Sequence, residues 1–237
     1  MSRQEIERSV KEQKDASPKS GAKSGGAKTA KDTASKNGPQ QVRIIGGQWK
    51  RTPLPVLNAE GLRPTPDRVR ETVFNWLTHL LDGDWDGVNC LDLFAGTGAL
   101  GFEAASRGAR QVIMVEQHTP ALRQLETVRE KLKADAVLVQ RGDAYAIARN
   151  LTLRSGNPGF QLIFVDPPYQ QEWLPRILPL CAQLLAPAGL VYAEAEYPLD
   201  GEDAPAWMED WQVLRADKAG MVFYHLLQRK SAPQIQA

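Results

Sequence analysis

The chain has 237 residues, of which 42% are hydrophobic and 24% charged, and its formal net charge is +1. This composition is ordinary for a globular protein, and the length fits one large domain or one domain with appendages. No apolar run approaches the roughly 20 residues of a membrane-spanning helix, and no signal-peptide pattern is present, so we expect no membrane partner.

The first 40 residues differ in composition from the rest. They hold nine Lys or Arg against five Asp or Glu and almost no large apolar side chains. Such a segment buries too little apolar surface to offset the entropy of ordering, so we expect residues 1–40 to form a disordered basic tail. A solvated tail without a specific function is the favoured interpretation, and weak contact of a basic arm with polyanions is the alternative.

Order is expected to begin near residue 41. The stretch "QVRIIGGQWKR" predicts a short strand, a glycine turn and a basic strand or loop, which we assign to an N-terminal hairpin extension over residues 41–64. "GLRPTPDRVRETVFNWLTHLL" then predicts a helix, with Thr65 as its N-cap and Pro66 at its first helical position. The main domain is expected to span residues 65–230.

From Cys90 onward, apolar strands alternate with single helices. "NCLDLFAG", "QVIMVE", "AVLVQRGD", "FQLIFVD" and "GLVYAEAE" read as strands, and the segments between them read as helices. This alternation predicts an α/β, doubly wound, Rossmann-like sheet that is mainly parallel. The closing stretch "WQVLRADKAGMVFYHLLQ" reads as two strands and a turn, which predicts an antiparallel edge.

The first turn from a strand to a helix, "LDLFAGTGALG", carries a GxGxxG motif at Gly96, Gly98 and Gly101. Glycines there let the backbone approach a ligand closely, and the helix N-terminus adds favourable polarity. Glu116 follows about 20 residues later, at the end of the second strand, where a carboxylate can accept hydrogen bonds from ribose hydroxyls. Together these features predict a cofactor that contains adenosine.

Two aspartates favour S-adenosyl-L-methionine over NAD. Asp92 lies inside the first strand, where a carboxylate would crowd a pyrophosphate but suits the ammonium of a methionine moiety. Asp143 follows the third strand, where it can accept a hydrogen bond from an adenine amino group, cap the next helix, or do both. The residues expected to bind the cofactor are Asp92, Phe94, Gly96, Gly98, Glu116, Gln117, Asp143 and Ala144.

The fourth strand ends in "DPPY", and in open parallel sheets ligands bind beyond the carboxyl ends of the strands. The Asp166 carboxylate and the Pro167 carbonyl can accept the two hydrogens of an exocyclic amine, so that its lone pair points at a methyl donor. Pro167 and Pro168 stiffen the loop, and Tyr169 can stack on a base. These four residues are the predicted catalytic group, in which positioning and electrostatics outweigh general-base catalysis.

"LDLFAGTGALGFEA", "VE", "GDA" and "DPPY" resemble the motifs of the S-adenosylmethionine-dependent amino-methyltransferases. "RIIGGQWKRTPLPV" and "GLRPTPDRVRETVFNWL" resemble the bacterial 16S ribosomal RNA guanine-N2 methyltransferases, over about Val42 to Gln228. The resemblance implies a seven-stranded sheet with one antiparallel strand. It also implies methyl transfer to the N2 amine of a guanine in small-subunit ribosomal RNA and the roles given to Glu116, Asp143 and Asp166.

Basic residues cluster just before the core, interleaved with Trp49 and helix aromatics, a pattern that suits phosphate contacts. The alternative is a set of solvated charges, or, for Arg70 and Glu71, an internal ion-pair network. The residues expected to contact RNA are Arg43, Lys50, Arg51, Arg63 and Arg68.

The expected partner is ribosomal RNA, within a small ribosomal subunit or its assembly intermediate, and the protein is expected to be a monomer. Cys90 and Cys181 lie among apolar neighbours without metal or redox spacing, which predicts free thiols and a cytoplasmic location. The scattered histidines predict no metal site. Alternative functions are a DNA adenine-N6 or protein glutamine-N5 methyltransferase, an NAD-dependent oxidoreductase and a non-catalytic RNA-binding protein.

Overall fold

A computed structural model describes residues 42–56, 65–153 and 159–230. The predicted basic tail over residues 1–40 and the predicted RNA contact Arg63 lie outside the described residues. The described strands form a small hairpin and a larger sheet. Their bounds are β1 (Val42–Arg43), β2 (Pro53–Leu54), β3 (Asn89–Asp92), β4 (Gln111–Glu116), β5 (Val137–Arg141), β6 (Phe160–Val165), β7 (Leu185–Ala195), β8 (Trp211–Ala219) and β9 (Val222–Arg229).

The larger sheet has seven strands in the order β5-β4-β3-β6-β7-β9-β8. Strands β3 to β7 pair in parallel, whereas β9 is antiparallel to both of its neighbours, β7 and β8. The prediction of a mainly parallel sheet with one antiparallel strand is therefore confirmed. The strand order reverses between β3 and β6, and this reversal point is where doubly wound sheets bind ligands.

Helices cover both faces of the sheet. Their bounds are α1 (Asp67–Leu80), α2 (Ala99–Ser106), α3 (Thr119–Leu132), α4 (Ala144–Thr152) and α5 (Trp173–Leu184). Buried side chains of α1, α2, α3 and the β1–β2 hairpin pack in one hydrophobic cluster, and those of α4 and α5 pack in another. The parallel strands read as near-continuous apolar runs because both of their faces are covered.

The start of α1 differs from the prediction. The helix begins at Asp67 with Pro66 in the N-cap position, and no side chain caps it. The prediction that Thr65 is the N-cap is wrong, because the Thr65 hydroxyl hydrogen-bonds to the side chains of Asp166 and Glu194 instead. The Thr65 hydroxyl makes these long-range contacts and does not cap α1.

The N-terminal hairpin is fixed to α2 by side chains of that helix. The Glu103 carboxylate is fully buried and accepts hydrogen bonds from the backbone N–H groups of Ile45 at 2.6 Å and Gly46 at 2.8 Å. The same carboxylate pairs with Arg107 at 2.8 Å, and the Ser106 hydroxyl donates to the Gly46 carbonyl at 2.6 Å. The hairpin is thus attached to the helix that follows the glycine motif.

Within the described part of the chain, no helix combines the length and the apolar character that crossing a membrane requires. Cys90 and Cys181 are both buried and free, as predicted.

Candidate active site

The carboxyl ends of β3, β4, β5 and β6 meet at one edge of the sheet, because these four strands pair in parallel. Each of them ends in, or is followed closely by, one of the predicted acidic residues. In chain order these are Asp92, Glu116, Asp143 and Asp166. The topology therefore gathers at one edge carboxyl groups that lie up to 74 positions apart in the sequence.

The glycine turn adopts backbone conformations that other residues rarely adopt. Gly96 has φ of +51° and Gly98 has φ of +79°, and Gly98 caps the N-terminus of α2. A Cβ atom on Gly98 would lie 2.5 Å from the Phe102 ring and 2.7 Å from the Leu125 side chain. At Gly96 a Cβ would meet no atom closer than 4.0 Å, so this position borders open space that a ligand can use.

Glu116 binds the glycine turn through the main chain. One carboxylate oxygen accepts from the Gly96 N–H at 2.9 Å, and the other accepts from the His118 N–H at 2.7 Å. Each carboxylate oxygen can accept a further hydrogen bond. Glu116 can therefore hold the turn in shape and still accept from ribose hydroxyls.

Asp92 is fully buried at the end of β3. Its Oδ2 accepts from the Gly101 N–H at 3.1 Å, while Oδ1 has no hydrogen-bond partner among the described residues. Burial raises the pKa of the Asp92 carboxyl to about 7, and the negative charge of Glu116 adds to this effect. A buried acceptor without a partner is costly, so the site favours a ligand that brings a donor or a positive charge.

Asp143 caps α4, since its side chain accepts from the Ala146 N–H at 2.9 Å. The Asp143 side chain is exposed, Ala144 is buried beside it, and Gln117 is exposed after β4. The cap leaves room for a further hydrogen bond to the second carboxylate oxygen.

Three aromatic side chains and one guanidinium contact one another near this edge. Phe94 follows β3 and packs edge-to-face against Trp173, with ring centroids 5.2 Å apart. The Arg176 guanidinium lies 5.0 Å from the Trp173 ring and 5.5 Å from the Tyr145 ring. Phe94 was predicted from the sequence as a cofactor contact, whereas Trp173, Tyr145 and Arg176 were not predicted. The available signal was an aromatic residue at the start of each helix that follows β5 and β6.

The "DPPY" loop leaves the end of β6 beside the glycine turn. Asp166 and Pro167 are half-buried, whereas Pro168 and Tyr169 are exposed. The Gln170 N–H donates to the Glu196 carboxylate, which ties the loop to the end of β7. The loop thus presents an exposed aromatic ring next to a carboxyl group that is partly withdrawn from solvent.

A second carboxyl group lies behind Asp166. Glu194 on β7 is buried and is hydrogen-bonded to Asp166. The Tyr192 and Thr65 hydroxyls donate to Glu194 Oε1 at 2.6 Å and 3.0 Å, and the Thr65 hydroxyl lies 3.4 Å from Asp166 Oδ2. Burial, together with the charges of Glu194 and Asp92, raises the pKa of Asp166 well above its usual value.

Thr65, Tyr192 and Glu194 were not predicted from the sequence as residues of the site. The signal in the sequence was the alternation "VYAEA", which puts Tyr192 and Glu194 on the same face of one buried strand. Strand β7 pairs in parallel with β6, so these residues lie beside the end of the strand that carries Asp166. An acid that faces the core of a sheet requires a partner.

The predicted RNA contacts occupy different environments. Lys50 and Arg51 are exposed in the turn between β1 and β2, and Arg68 is exposed on α1. Arg43 is exposed but pairs with Asp67 at 2.8 Å. Arg70 is buried and pairs with the same Asp67 at 2.6 Å, so it is internal, as its alternative interpretation had it. Its partner is Asp67 and not Glu71, which is exposed.

Comparison with known proteins places the chain in a family. The family model described as "Conserved hypothetical protein 95" matches residues 42–228. Ribosomal RNA small subunit methyltransferase D of Escherichia coli (strain K12) is 38% identical over 203 residues, which cover 85% of this chain and 96% of that protein. The protein of the same name from Haemophilus influenzae is 37% identical over 195 residues, covering 81% and 96%.

A solved structure shares the fold. The candidate methyltransferase yhhF from Escherichia coli is 36% identical, with a TM-score of 0.65 over 81% of this chain and 99% of that one. The chain therefore belongs to the family described as conserved hypothetical protein 95 and groups with the ribosomal RNA small subunit methyltransferases D.

Proposed function

We propose that this protein transfers a methyl group from S-adenosyl-L-methionine to the exocyclic N2 amine of a guanine in 16S ribosomal RNA. The observation that carries the proposal is the placement of "DPPY" at the end of β6, directly beside β3, which leads into the glycine turn. Asp92 on β3 pairs with Phe164 on β6, two residues before Asp166. A site for the methyl donor and a site for the amine would thus be neighbours.

The residues of the glycine turn fit the cofactor. Asp92 offers a buried carboxylate oxygen without a partner, which would hold the ammonium of the methionine moiety. Glu116 would accept from the ribose hydroxyls, and Asp143 would accept from the adenine amino group next to Ala144. Phe94, Gln117 and the open space at Gly96 would complete the binding surface. When bound, S-adenosyl-L-methionine supplies an electrophilic methyl group.

The "DPPY" loop would hold the amine. The lone pair of an exocyclic guanine amine is delocalised into the ring, so the nitrogen is a poor nucleophile until its hydrogens are held out of the ring plane. Asp166 and the Pro167 carbonyl would each accept one of these hydrogens. Tyr169 would stack on the base, a contact worth roughly 1–3 kcal/mol. Once the nitrogen has formed its new bond to carbon, its surplus proton is acidic and passes to water.

The turn between β1 and β2 carries Lys50 and Arg51 and is called the basic turn. It would bring RNA to the carboxyl edge of the sheet. Lys50 and Arg51 are exposed on the hairpin that Glu103 fixes to α2, and Arg43 and Arg68 lie near the start of α1. The named relatives are small-subunit ribosomal RNA methyltransferases. We further propose that the protein acts in the cytoplasm as a monomer on an assembled or assembling small subunit.

Mapping methylated nucleotides tests this function. Purified full-length protein and labelled S-adenosyl-L-methionine are incubated separately with small subunits lacking the modification, naked ribosomal RNA, DNA and protein. We expect label on the N2 amine of one guanine of 16S RNA. Label confined to adenine N6 of DNA or to protein glutamine would establish the alternative methyltransferase functions. Calorimetric binding of NAD but not S-adenosyl-L-methionine would indicate an oxidoreductase.

Asp166→Ala is the matched variant for the chemistry. We expect methyl transfer to fall by about 10²–10⁴-fold, because one of the two acceptors for the amine is lost. Calorimetry should show that the variant still binds S-adenosyl-L-methionine, since the glycine turn is untouched. Full activity in this variant would remove Asp166 from the mechanism, and no turnover by the wild type on any substrate would favour a non-catalytic RNA-binding protein.

A further inference from the structure

Asp166 and Glu194 are brought together by one hydroxyl group, that of Thr65, which contacts both carboxyl groups. Two carboxyl groups that hydrogen-bond to each other must share a proton, and these two form such a pair. The surrounding hydroxyls are not divided equally between them. Glu194 Oε1 accepts from the Tyr192 hydroxyl at 2.6 Å and from the Thr65 hydroxyl at 3.0 Å. Asp166 Oδ2 has only a 3.4 Å contact with the same Thr65 hydroxyl.

Donors concentrated on one carboxyl group stabilise its charged form. Glu194 has two hydroxyl donors on one oxygen, so the negative charge of the pair is better placed on Glu194 and the proton on Asp166. The contacts also distinguish the two oxygens of Asp166. Oδ2 is the oxygen that contacts Thr65, whose hydroxyl also donates to Glu194, which leaves Oδ1 for the substrate.

We propose that Asp166 and Glu194 hold a single proton, with the charge on Glu194, so that Asp166 meets the target amine as a neutral carboxylic acid. Glu194 is then a positioning residue that acts through Asp166. This inference rests on the proposed function, because it concerns how the amine is held. The protonated Asp166 donates to Glu194 through one oxygen and accepts an amine hydrogen through the other.

The charged groups around the pair agree with this assignment. Asp92 on β3 adds a negative charge that opposes ionisation of Asp166, and burial acts in the same direction. Arg70 approaches from α1, but it donates to the Thr65 and Arg43 carbonyl oxygens and to the Asp67 carboxylate. Within the described residues no cation pairs with Asp166 or Glu194, so nothing there favours two negative charges.

A neutral Asp166 has an isosteric mimic in asparagine. In Asp166→Asn the amide NH2 can donate to Glu194 as the carboxylic acid does, and the amide oxygen can accept from the amine. We therefore expect Asp166→Asn to lose no more than about tenfold in kcat, whereas Asp166→Ala loses about 10²–10⁴-fold. If Asp166 worked as a carboxylate, the Asn variant would be as inactive as the Ala variant.

The double variant Asp166→Asn with Glu194→Gln tests the role of Glu194. It removes the charge of the pair and leaves two neutral amides. We expect it to lose less than the product of the two single losses, because asparagine at position 166 has no proton for Glu194 to hold and its amide can still donate to the Gln oxygen. If Glu194 were only structural, Glu194→Gln would reduce kcat by the same factor whichever residue stands at 166, and the proposal would be wrong.

A substrate-free measurement separates this inference from the proposed function. Carbon-13 NMR of side-chain carboxyl groups in the full chain, assigned with Asp166→Asn, should show Asp166 still protonated at a pH where exposed aspartates are ionised. Glu194→Gln should move its titration to lower pH. Ionisation of wild-type Asp166 together with the exposed aspartates overturns the proposal. A protonated Asp166 in a protein that methylates no ribosomal RNA would instead refute the proposed function alone.

Discussion

The carboxyl edge of the sheet and the basic turn of the hairpin hold their charged side chains in opposite ways. At the edge, Glu116 accepts from two main-chain N–H groups, and Glu194 is buried beneath two hydroxyl donors. In the turn, Lys50 and Arg51 are exposed. Groups that orient reacting atoms must be fixed to within a fraction of an ångström, whereas contacts with phosphates depend mainly on charge.

This difference predicts in which of the two regions a single substitution has a large effect. At the edge, one atom in the wrong place disturbs a contact that has no substitute. In the turn, Lys50 and Arg51 would share the proposed contact with phosphates, so the loss of either would be partly covered by the other. Substitutions should therefore have large, specific effects at the edge and small, additive effects in the turn.

The largest effect is expected at Gly98. Gly98→Val combines a positive φ with a Cβ placed against the Phe102 ring and Leu125. Strain and overpacking together should lower the free energy of unfolding by about 2–5 kcal/mol and abolish binding of S-adenosyl-L-methionine. Thermal unfolding and calorimetry measure the two quantities.

Gly201→Val is the matched control, because Gly201 has φ of +86° but no atom within 4 Å of its Cβ position. It should show only the backbone cost of about 1–2 kcal/mol and keep cofactor binding intact. Equal effects of the two variants would mean that the glycine turn is not a site of close packing.

Asp92→Asn should have the next largest effect, with opposite signs for stability and binding. The pKa of Asp92 is about 7 in the folded protein, against a usual value of 3.8. Protonation of Asp92 stabilises the folded protein. This contribution is complete below pH 3.8, the usual pKa, and is lost as pH rises through about 7, the pKa in the folded protein. At pH 8 the Asn variant should be more stable, by on the order of 4 kcal/mol at most.

The same variant should bind S-adenosyl-L-methionine about 10-fold to 100-fold more weakly at pH 8, since an ammonium loses its charged partner. In the wild type, affinity should rise with pH through about 7, as Asp92 ionises. Calorimetry and urea unfolding between pH 5 and pH 9 check both effects, with the exposed Asp135→Asn as control. A stability that is flat across this interval in the wild type would contradict the prediction.

The smallest effect is expected in the turn. Replacing Lys50 and Arg51 together by Ala should weaken binding to ribosomal RNA and lower the slope of log affinity against log salt by up to about 2. Arg149→Ala, on the helix that packs against the other face, removes a charge away from the turn and should leave the slope unchanged. A similar decrease in slope for the Arg149 variant would mean that RNA does not bind preferentially at the basic turn.

The two halves of the carboxyl edge were not equally predictable from the sequence. On the side proposed for the cofactor the contacts are local: Glu116 accepts from Gly96, 20 positions away, and Asp143 caps its own helix three residues on. On the side proposed for the amine, Thr65 contacts Asp166, 101 positions away, and Glu194, 129 positions away. Residue spacing encodes the first kind of contact, whereas the second depends on which strands become neighbours.

The error at Thr65 has the same cause. Thr followed by Pro is a typical helix start, and local chemistry alone assigns the hydroxyl to the backbone of α1. The structure gives that hydroxyl to a carboxyl pair whose members come from β6 and β7. The alternation of strands and helices and the mainly parallel sheet were predictable, because the residue pattern of each element shows which of its faces is buried. The pattern does not show which side chains of other elements a buried residue contacts.

The hairpin attached to α2 has a consequence for the order in which parts of the protein open. Its strands are two residues long, which is too short for a ribbon to persist alone. The Ile45 and Gly46 amides find their acceptor on the buried Glu103, outside the hairpin. The amide hydrogen exchange of Ile45 and Gly46 should therefore be as slow as the opening of α2. The basic turn would then stay in position during the fast local fluctuations in which most short surface hairpins open.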